Sequence, residues 1–273
     1  MNWKILHQIE EVFRIHTRNN LMEVAKDNYF DNTGHFSVSK YKKFLRCELD
    51  GLSDYGNPSI PMLVGSYVDS YVEGTLEQFK LDHPEIISTR GKTKGQLKSE
   101  FKQAEEICEF IDNDKLLTQF LSGEKQKIFT GEINEVPFKI MMDSYSKGIA
   151  ISDLKIMRSI TDRSGDYYDF ISAWGYDTQL ACYQEIVRQN TGEQLPVFIC
   201  ALTKEYPINS AIINIPQSIL DIAYYDVVSN INRYYDIWSG LEVPVGCGKC
   251  KTCISSRNST PIISLDDIQI GGI

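Results

Sequence analysis

A chain of 273 residues, 42% hydrophobic and 24% charged, has enough apolar material for one large domain or two small ones without disulfide staples. Its apolar runs fall short of the roughly 18 residues a membrane span needs, and its charged N-terminus lacks the apolar stretch of a signal peptide, so a cytoplasmic location with no membrane contact is expected. A formal net charge of −9 argues against coating nucleic acid through a general positive field, but leaves room for carboxylates that hold divalent cations.

The first 35 residues read as a helix with Ile5, Leu6, Ile9, Val12 and Phe13 along one side. A second helix starts at a serine cap, Ser37 or Ser39, and runs to Gly51. A third, "PMLVGSYVDSYVEGTLEQF", opens with Pro61 and has Leu63, Tyr67, Tyr71 and Leu76 on its apolar face. The basic stretch "TRGKTKGQLKSEFK" (Arg90, Lys92, Lys94, Lys98, Lys102) reads as a solvated loop and helix start. One or two helices then fill residues 97–123.

The pattern changes to strands at "KIFTGEI" and "VPFKIMMD", whose separation by "NE" predicts a hairpin. "GIAISDLKIM" is a third strand, followed by a helix over 177–190 closed by "NTG". Two more strands, "LPVFICALT" and "NSAIINIP", precede a long helix ending at Gly240. This order predicts an α/β (α+β) fold: a small mixed central sheet flanked by helices, with extra helices at the N-terminus. The expected organisation is a single domain over 1–273, with a helical part at 1–60, a core at 61–240 and a cysteine-rich tail at 241–273.

Three charges sit in this apolar setting. Asp143 closes the second strand, and Asp153 and Lys155 lie two apart on the third, hence on one face. Carboxylates gathered on one face repel unless protonated or bridged by a cation, and hard oxygen donors suit Mg²⁺ or Mn²⁺. A lysine beside such an ion can orient water or offset charge on a phosphate. A structural ion pair between Asp153 and Lys155 is the alternative, and the dipeptide alone favours it. Asp69 and Glu73, one turn apart on the third helix, can add ligands, and Gly65 is read as letting that helix approach the sheet closely. Gln179 and Tyr183 share a face of the later helix.

Taken in order, Gly65 with Glu73, then Asp143, then Asp153-Leu154-Lys155, then Gln179 with Tyr183, resemble the RecB-type branch of the PD-(D/E)XK nuclease superfamily, in the manner of phage and prophage RecE-like exonucleases. Asp69 stands where that branch has a helix histidine. The resemblance implies a PD-(D/E)XK nuclease core and a Mg²⁺- or Mn²⁺-dependent deoxyribonuclease acting on linear double-stranded DNA ends in phage recombination or repair. It implies Asp69, Glu73, Asp143 and Asp153 as metal ligands, and Lys155 as the residue that helps activate water. Gln179 and Tyr183 would position the DNA or the catalytic elements. A single-strand annealing recombinase as partner and a ring-like homo-oligomer belong to the same implication. The alternatives are a nuclease-fold protein that binds DNA or a recombinase without cutting, and a restriction-type endonuclease.

Of seven cysteines, three stand in "CGKCKTC" as Cys247, Cys250 and Cys253. Thiolates at this spacing are ready ligands for zinc or an iron–sulfur cluster, but three leave a tetrahedral site one short. Cys47 is the expected fourth, as in RecB-type nucleases that use one cysteine before the core and three after it to hold an iron–sulfur cluster. Zinc, iron–sulfur and a reduced metal-free tail stay open. Cys108, Cys182 and Cys200 are expected in core packing, and His7, His16, His35 and His83 show no ligand spacing.

Overall fold

The structure, a computed structural model, describes residues 34–53, 56–161, 169–204 and 206–260, together with 29, 165, 167 and 262. The helix expected within the first 35 residues lies outside the described residues, apart from its end. Two compact units are distinguished, one drawn from Met1–Val38 and Gly56–Asn232 and the other from Ser39–Tyr55 and Arg233–Ile273.

A short strand β1 (Phe36–Ser37) leads into α1 (Val38–Arg46) and α2 (Glu48–Gly51). The single helix expected up to Gly51 is broken at Cys47, whose backbone is extended (φ −170°, ψ 120°). Helix α3 (Ile60–Glu73) has Pro61 in its first turn, where the missing N–H costs nothing. It stops at Gly74, in the left-handed region at φ 78°, and the chain restarts as α4 (Leu76–Asp82). A glycine after the last turn ends a helix by adopting a conformation that a Cβ would disfavour, so the continuous helix expected here is two.

Residues 97–123 form α5 (Ser99–Asn113) and α6 (Lys115–Phe120). They are divided at Asp114, whose carboxylate accepts the N–H groups of Leu116 and Leu117 at 2.9 and 3.0 Å and so caps the second helix. The predicted hairpin is present as β2 (Lys127–Ile133) and β3 (Val136–Met142). Its turn residues Asn134 and Glu135 have φ of 48° and 67°, the two-residue geometry whose twist matches the strands. Pairing runs without a break from Ile133 against Val136 to Lys127 against Met142.

A strand that the sequence did not announce, β4 (Ser144–Ser146), begins right after Asp143 and pairs antiparallel with β5 (Ala150–Met157). After α7 (Phe170–Trp174) and α8 (Tyr176–Thr191), β6 (Val197–Thr203) lies parallel to β5, and β7 (Ser210–Asn214) lies antiparallel to β6. The long α9 (Gln217–Trp238) and the short α10 (Lys251–Ser255) complete the described chain. The strands make a mixed four-stranded sheet, β4-β5-β6-β7, and a three-stranded one, β1-β3-β2. This is the mixed α/β class expected, a small central sheet with helices against it.

In the larger unit, Tyr67 of α3, Phe101 and Ile107 of α5, Leu154 of β5 and Leu202 of β6 share one buried apolar cluster, which fixes α3 and α5 over the sheet. Gly65 takes no part in this. A Cβ there would meet nothing within 4 Å, so the close approach expected of it is not made, and buried Val64, Tyr67 and Val68 form the contact face instead. In the smaller unit, Tyr41 and Phe44 of α1 pack on Tyr234, with ring centroids 5.4 and 5.6 Å apart. Arg233 grips Glu48 through two bonds of 2.7 and 2.8 Å.

Candidate active site and cysteine centre

Asp143 is the single residue between β3 and β4. Its Oδ2 accepts the Leu154 N–H at 2.9 Å, which fastens the end of β3 to the middle of β5. It is thus β4, and not β3, that lies beside the strand carrying the other two charges. Asp153 is 2% exposed and forms an ion pair with Lys155, two residues on and on the same face. Its Oδ1 accepts a hydrogen bond from Gln179 Nε2 at 2.9 Å. Its Oδ2 is the oxygen that meets the Lys155 ammonium. Each carboxylate oxygen has two lone pairs, so a buried carboxylate held by one amide and one ammonium retains acceptor capacity that a metal ion could share.

Electrostatics bring a third acid into this group. Burial, then Asp143, Asp153 and Glu73, push the Asp69 carboxyl well above the usual range against the pull of Lys155. Asp143 is pushed up to about 7, by burial first and then by Asp153 and Glu73, against Lys155 and the Leu154 N–H. Burial disfavours the Lys155 ammonium, but Asp153, Asp143 and Asp69 outweigh it and raise its pKa. Three carboxylates are thus linked electrostatically around Lys155, whereas among the described residues it is the cysteine quartet whose donor atoms gather within 4.8 Å of one another. Glu73 stands at the margin: it acts on Asp69 and Asp143 while its Oε2 accepts from Thr75 Oγ1 at 3.3 Å.

Gln179 and Tyr183 meet the same group. Gln179 Nε2 spends its second hydrogen on Tyr183 Oη at 3.1 Å, so one amide ties the phenol to Asp153. Burial, with Tyr29, Asp153 and Asp143, holds the Tyr183 phenol well above its ordinary pKa despite Gln179. Two neighbours escaped the sequence reading. The Tyr176 ring lies 5.3 Å from Lys155 Nζ, and its position three residues before Gln179 on one helix face was a usable signal. Lys125 feels Asp143 and Glu73, and nothing in the polar run "SGEKQK" marked it.

The raised carboxyls predict a pH dependence. A carboxyl whose folded pKa exceeds its unfolded value stabilises the fold fully below the unfolded pKa, about 4, and loses that contribution as pH rises through the folded pKa. For Asp143 the window closes near 7, and the loss is on the order of 4 kcal/mol at most. Thermal unfolding in EDTA is expected to show a midpoint that falls from pH 5 to pH 8. Mg²⁺ or Mn²⁺ should recover it at pH 8, and Asp143→Asn should reduce both responses, the remainder coming from Asp69. A wild-type midpoint that does not fall, or that ignores the metal, contradicts the expectation.

The smaller unit gathers Cys47, Cys247, Cys250 and Cys253 with all sulfurs within 4.8 Å of one another. The extended break at Cys47 frees that side chain from its helix. Individual pairs are 3.5 Å (Cys47 to Cys253), 3.7 Å (Cys250 to Cys47) and 3.9 Å (Cys247 to Cys253). Backbone N–H groups point at the sulfurs, from Cys247 to Cys47 at 3.3 Å, from Cys250 to Cys247 at 3.3 Å and from Cys253 to Cys250 at 3.4 Å. The N–H groups of Lys249 and Cys250 bring the Cys247 thiol down to about 6. For Cys47 burial opposes the thiolate, but the N–H groups of Cys247 and Asp50 outweigh it.

A tetrahedral ion with bonds of about 2.3 Å to sulfur has edges of about 3.8 Å, which the observed pairs bracket. Thiolates that bind different irons of a cluster are spread wider by the cluster itself, so the donor set fits one ion better. Cys108, Cys182 and Cys200 are buried in α5, α8 and β6, as expected of packing residues.

A family described as "PDDEXK-like domain of unknown function (DUF3799)" matches residues 37–256. The crystal structure of a protein from Eubacterium rectale named "Putative exonuclease" is 42% identical, with a TM-score of 0.83, over 92% of this chain and 99% of that one. The structure of SSO0001 is 12% identical over 72% of this chain and 87% of that one, with a TM-score of 0.28. No curated protein matches the chain.

Proposed function

The chain belongs to the PD-(D/E)XK-like superfamily, in the family of PDDEXK-like domains described as DUF3799, and from that premise we propose that it is a Mg²⁺- or Mn²⁺-dependent deoxyribonuclease hydrolysing phosphodiester bonds at DNA ends. The observation that carries the reading is the buried Asp153 carboxylate, with one oxygen held by Gln179 and the other by Lys155, and with Asp69 and Asp143 acting on the same lysine. The name of the E. rectale relative supports the exonuclease reading.

In this proposal Asp69, Asp143 and Asp153 hold the metal, with Glu73 able to add an oxygen. The bound ion supplies a lowered water pKa and offsets charge at the phosphate. Lys155 is kept protonated by the acids around it, so it serves as a hydrogen-bond donor that orients the attacking water and offsets developing charge, not as the group that takes the proton. Gln179 positions Asp153 and Tyr183 through its two amide hydrogens. At the cysteine centre the spacing supports a single structural ion, with zinc the best fit. The order of the motifs supports the RecE-like branch, and with it a phage or prophage recombination role, an annealing recombinase as partner and a ring-like assembly.

The test is end dependence. In Mg²⁺, linear duplex DNA is expected to be converted progressively to acid-soluble nucleotides while covalently closed circles persist. Discrete fragments from circles would point to a restriction-type enzyme. Binding of linear DNA without release of nucleotides would point to a non-cutting nuclease-fold protein.

A further inference from the structure

One cation near the carboxylates, Lys125, makes no hydrogen bond or ion pair among the described residues. The turn between α6 and β2 is fastened to β4 immediately after Asp143. Glu124 and Tyr145 exchange both backbone hydrogen bonds at 2.9 Å. The Gly123 N–H donates to Ser144 Oγ at 3.0 Å, and that hydroxyl donates to the Phe120 carbonyl at 3.1 Å. A Cβ at residue 123 would stand 2.6 Å from the Tyr145 carbonyl carbon, so only glycine permits this approach. Beyond the clamp, Gln126 has φ 50°, an uncommon conformation for a residue with a side chain. Lys125 lies between these two fixed points and is half-buried.

Three lysines surround this region, and they differ in their pairing. Lys127 is bound to Glu124 at 2.8 Å, and Lys155 is bound to Asp153. Lys125 has no hydrogen bond or ion pair among the described residues, although Asp143 and Glu73 both act on it. Burial lowers its pKa, and Asp143, Cys200 and Glu73 only partly offset that. A half-buried ammonium is partly stripped of its hydration, and the partner that best makes up for it is an anionic oxygen. The neighbouring acids are not that partner, and when they hold a cation they are still less available.

We infer that Lys125 contacts the substrate directly, its ammonium donating to a non-bridging phosphate oxygen of the DNA strand that enters the Asp69–Asp143–Asp153 site. This rests on the nuclease reading above. Lys125 thereby supplies the positive charge for backbone binding that an acidic chain lacks as a whole.

The experiment uses the full chain and a short linear duplex, with fluorescence anisotropy in Ca²⁺ and nucleotide release in Mg²⁺, for Lys125→Met, Lys125→Arg and Lys127→Met. Lys125→Met is expected to weaken binding and raise KM about tenfold, as for loss of one charge-assisted hydrogen bond. It should also reduce the slope of log K against log salt by about one. Lys125→Arg should restore most of the affinity, and Lys127→Met should behave as wild type. The unfolding midpoint of Lys125→Met should stay level or rise, because an unpaired half-buried charge is removed. Wild-type affinity and salt slope in Lys125→Met, or a fall in stability with no change in either, overturns the inference. If wild type releases no nucleotides the nuclease reading fails, yet the anisotropy arms still decide Lys125, and absence of DNA binding removes both.

Discussion

Asp153→Asn is expected to lower DNA hydrolysis by at least about 10³-fold, equivalent to roughly 4 kcal/mol of transition-state stabilisation, while leaving the fold in place. Asparagine keeps the shape of the side chain and a carbonyl oxygen that can accept from Gln179 Nε2, now 2.9 Å from Asp153 Oδ1. It removes the charge from the buried carboxylate that pairs with Lys155, and with it a proposed metal ligand. Some stability should be lost, because Lys155 loses its ion-pair partner, with Asp143 and Asp69 left to offset part of its charge. Single-turnover nucleotide release from linear DNA in Mg²⁺ and in Mn²⁺ gives the rate, and thermal unfolding checks the fold. A variant that keeps more than about a tenth of the wild-type rate would sink the proposed site. The paired acids on α3 should separate in the same assay. Asp69→Asn is expected to approach the Asp153→Asn loss, because Asp69 is coupled to Asp143, Asp153 and Lys155. Glu73→Gln should cost about tenfold or less, its carboxylate already being engaged by Thr75.

The second large effect concerns the cysteine centre. Elemental analysis after anaerobic purification is expected to find one zinc per chain, and the visible spectrum to show no iron–sulfur absorption. Cys47→Ser or Cys253→Ser should lose the metal and lower the unfolding midpoint by about 10 °C or more, or leave the chain insoluble. Structural zinc contributes on the order of 10 kcal/mol in small domains whose few elements cannot form a core alone. The smaller unit is of that kind: short helices, a few aromatic contacts and an exposed Arg233–Glu48 pair. Thiolate ligands compete with protons, and within the quartet Cys247 is brought down to about 6 while its neighbours push Cys250 up to about 12, so the metal should be released as the solution is made acid. Iron with sulfide would reject the single-ion reading, and a metal-free preparation that unfolds like the wild type would reject the centre altogether.

The sequence disclosed those parts of the molecule that depend on neighbours along the chain. The β2–β3 hairpin followed from "NE" between two apolar runs, and Asp153 with Lys155 followed from strand alternation. Gln179 and Tyr183 followed from one helical turn. What stayed hidden depends on tertiary placement. The stop at Gly74 turns on a left-handed residue that looked like one more helical position. Strand β4 is only three residues long and exists by pairing with β5. Gly65 looked like a contact glycine and faces open space. The turn that carries Lys125 is fastened next to Asp143 by hydrogen bonds between residues some twenty positions apart, for which no local pattern exists.

The hairpin has a consequence beyond the sheet it builds. Because β2 and β3 pair without interruption from Ile133–Val136 to Lys127–Met142, the turn at Asn134 and Glu135 acts as the zero mark of a ruler whose far end is Asp143. Adding or deleting one residue at that turn would offer Asp143 to the opposite face of the strand, away from Leu154 and Asp153, without touching any residue of the site. Length at a remote surface bend is thus as much a property of the acidic centre as the acids are, and substitutions in the bend should be tolerated far better than insertions.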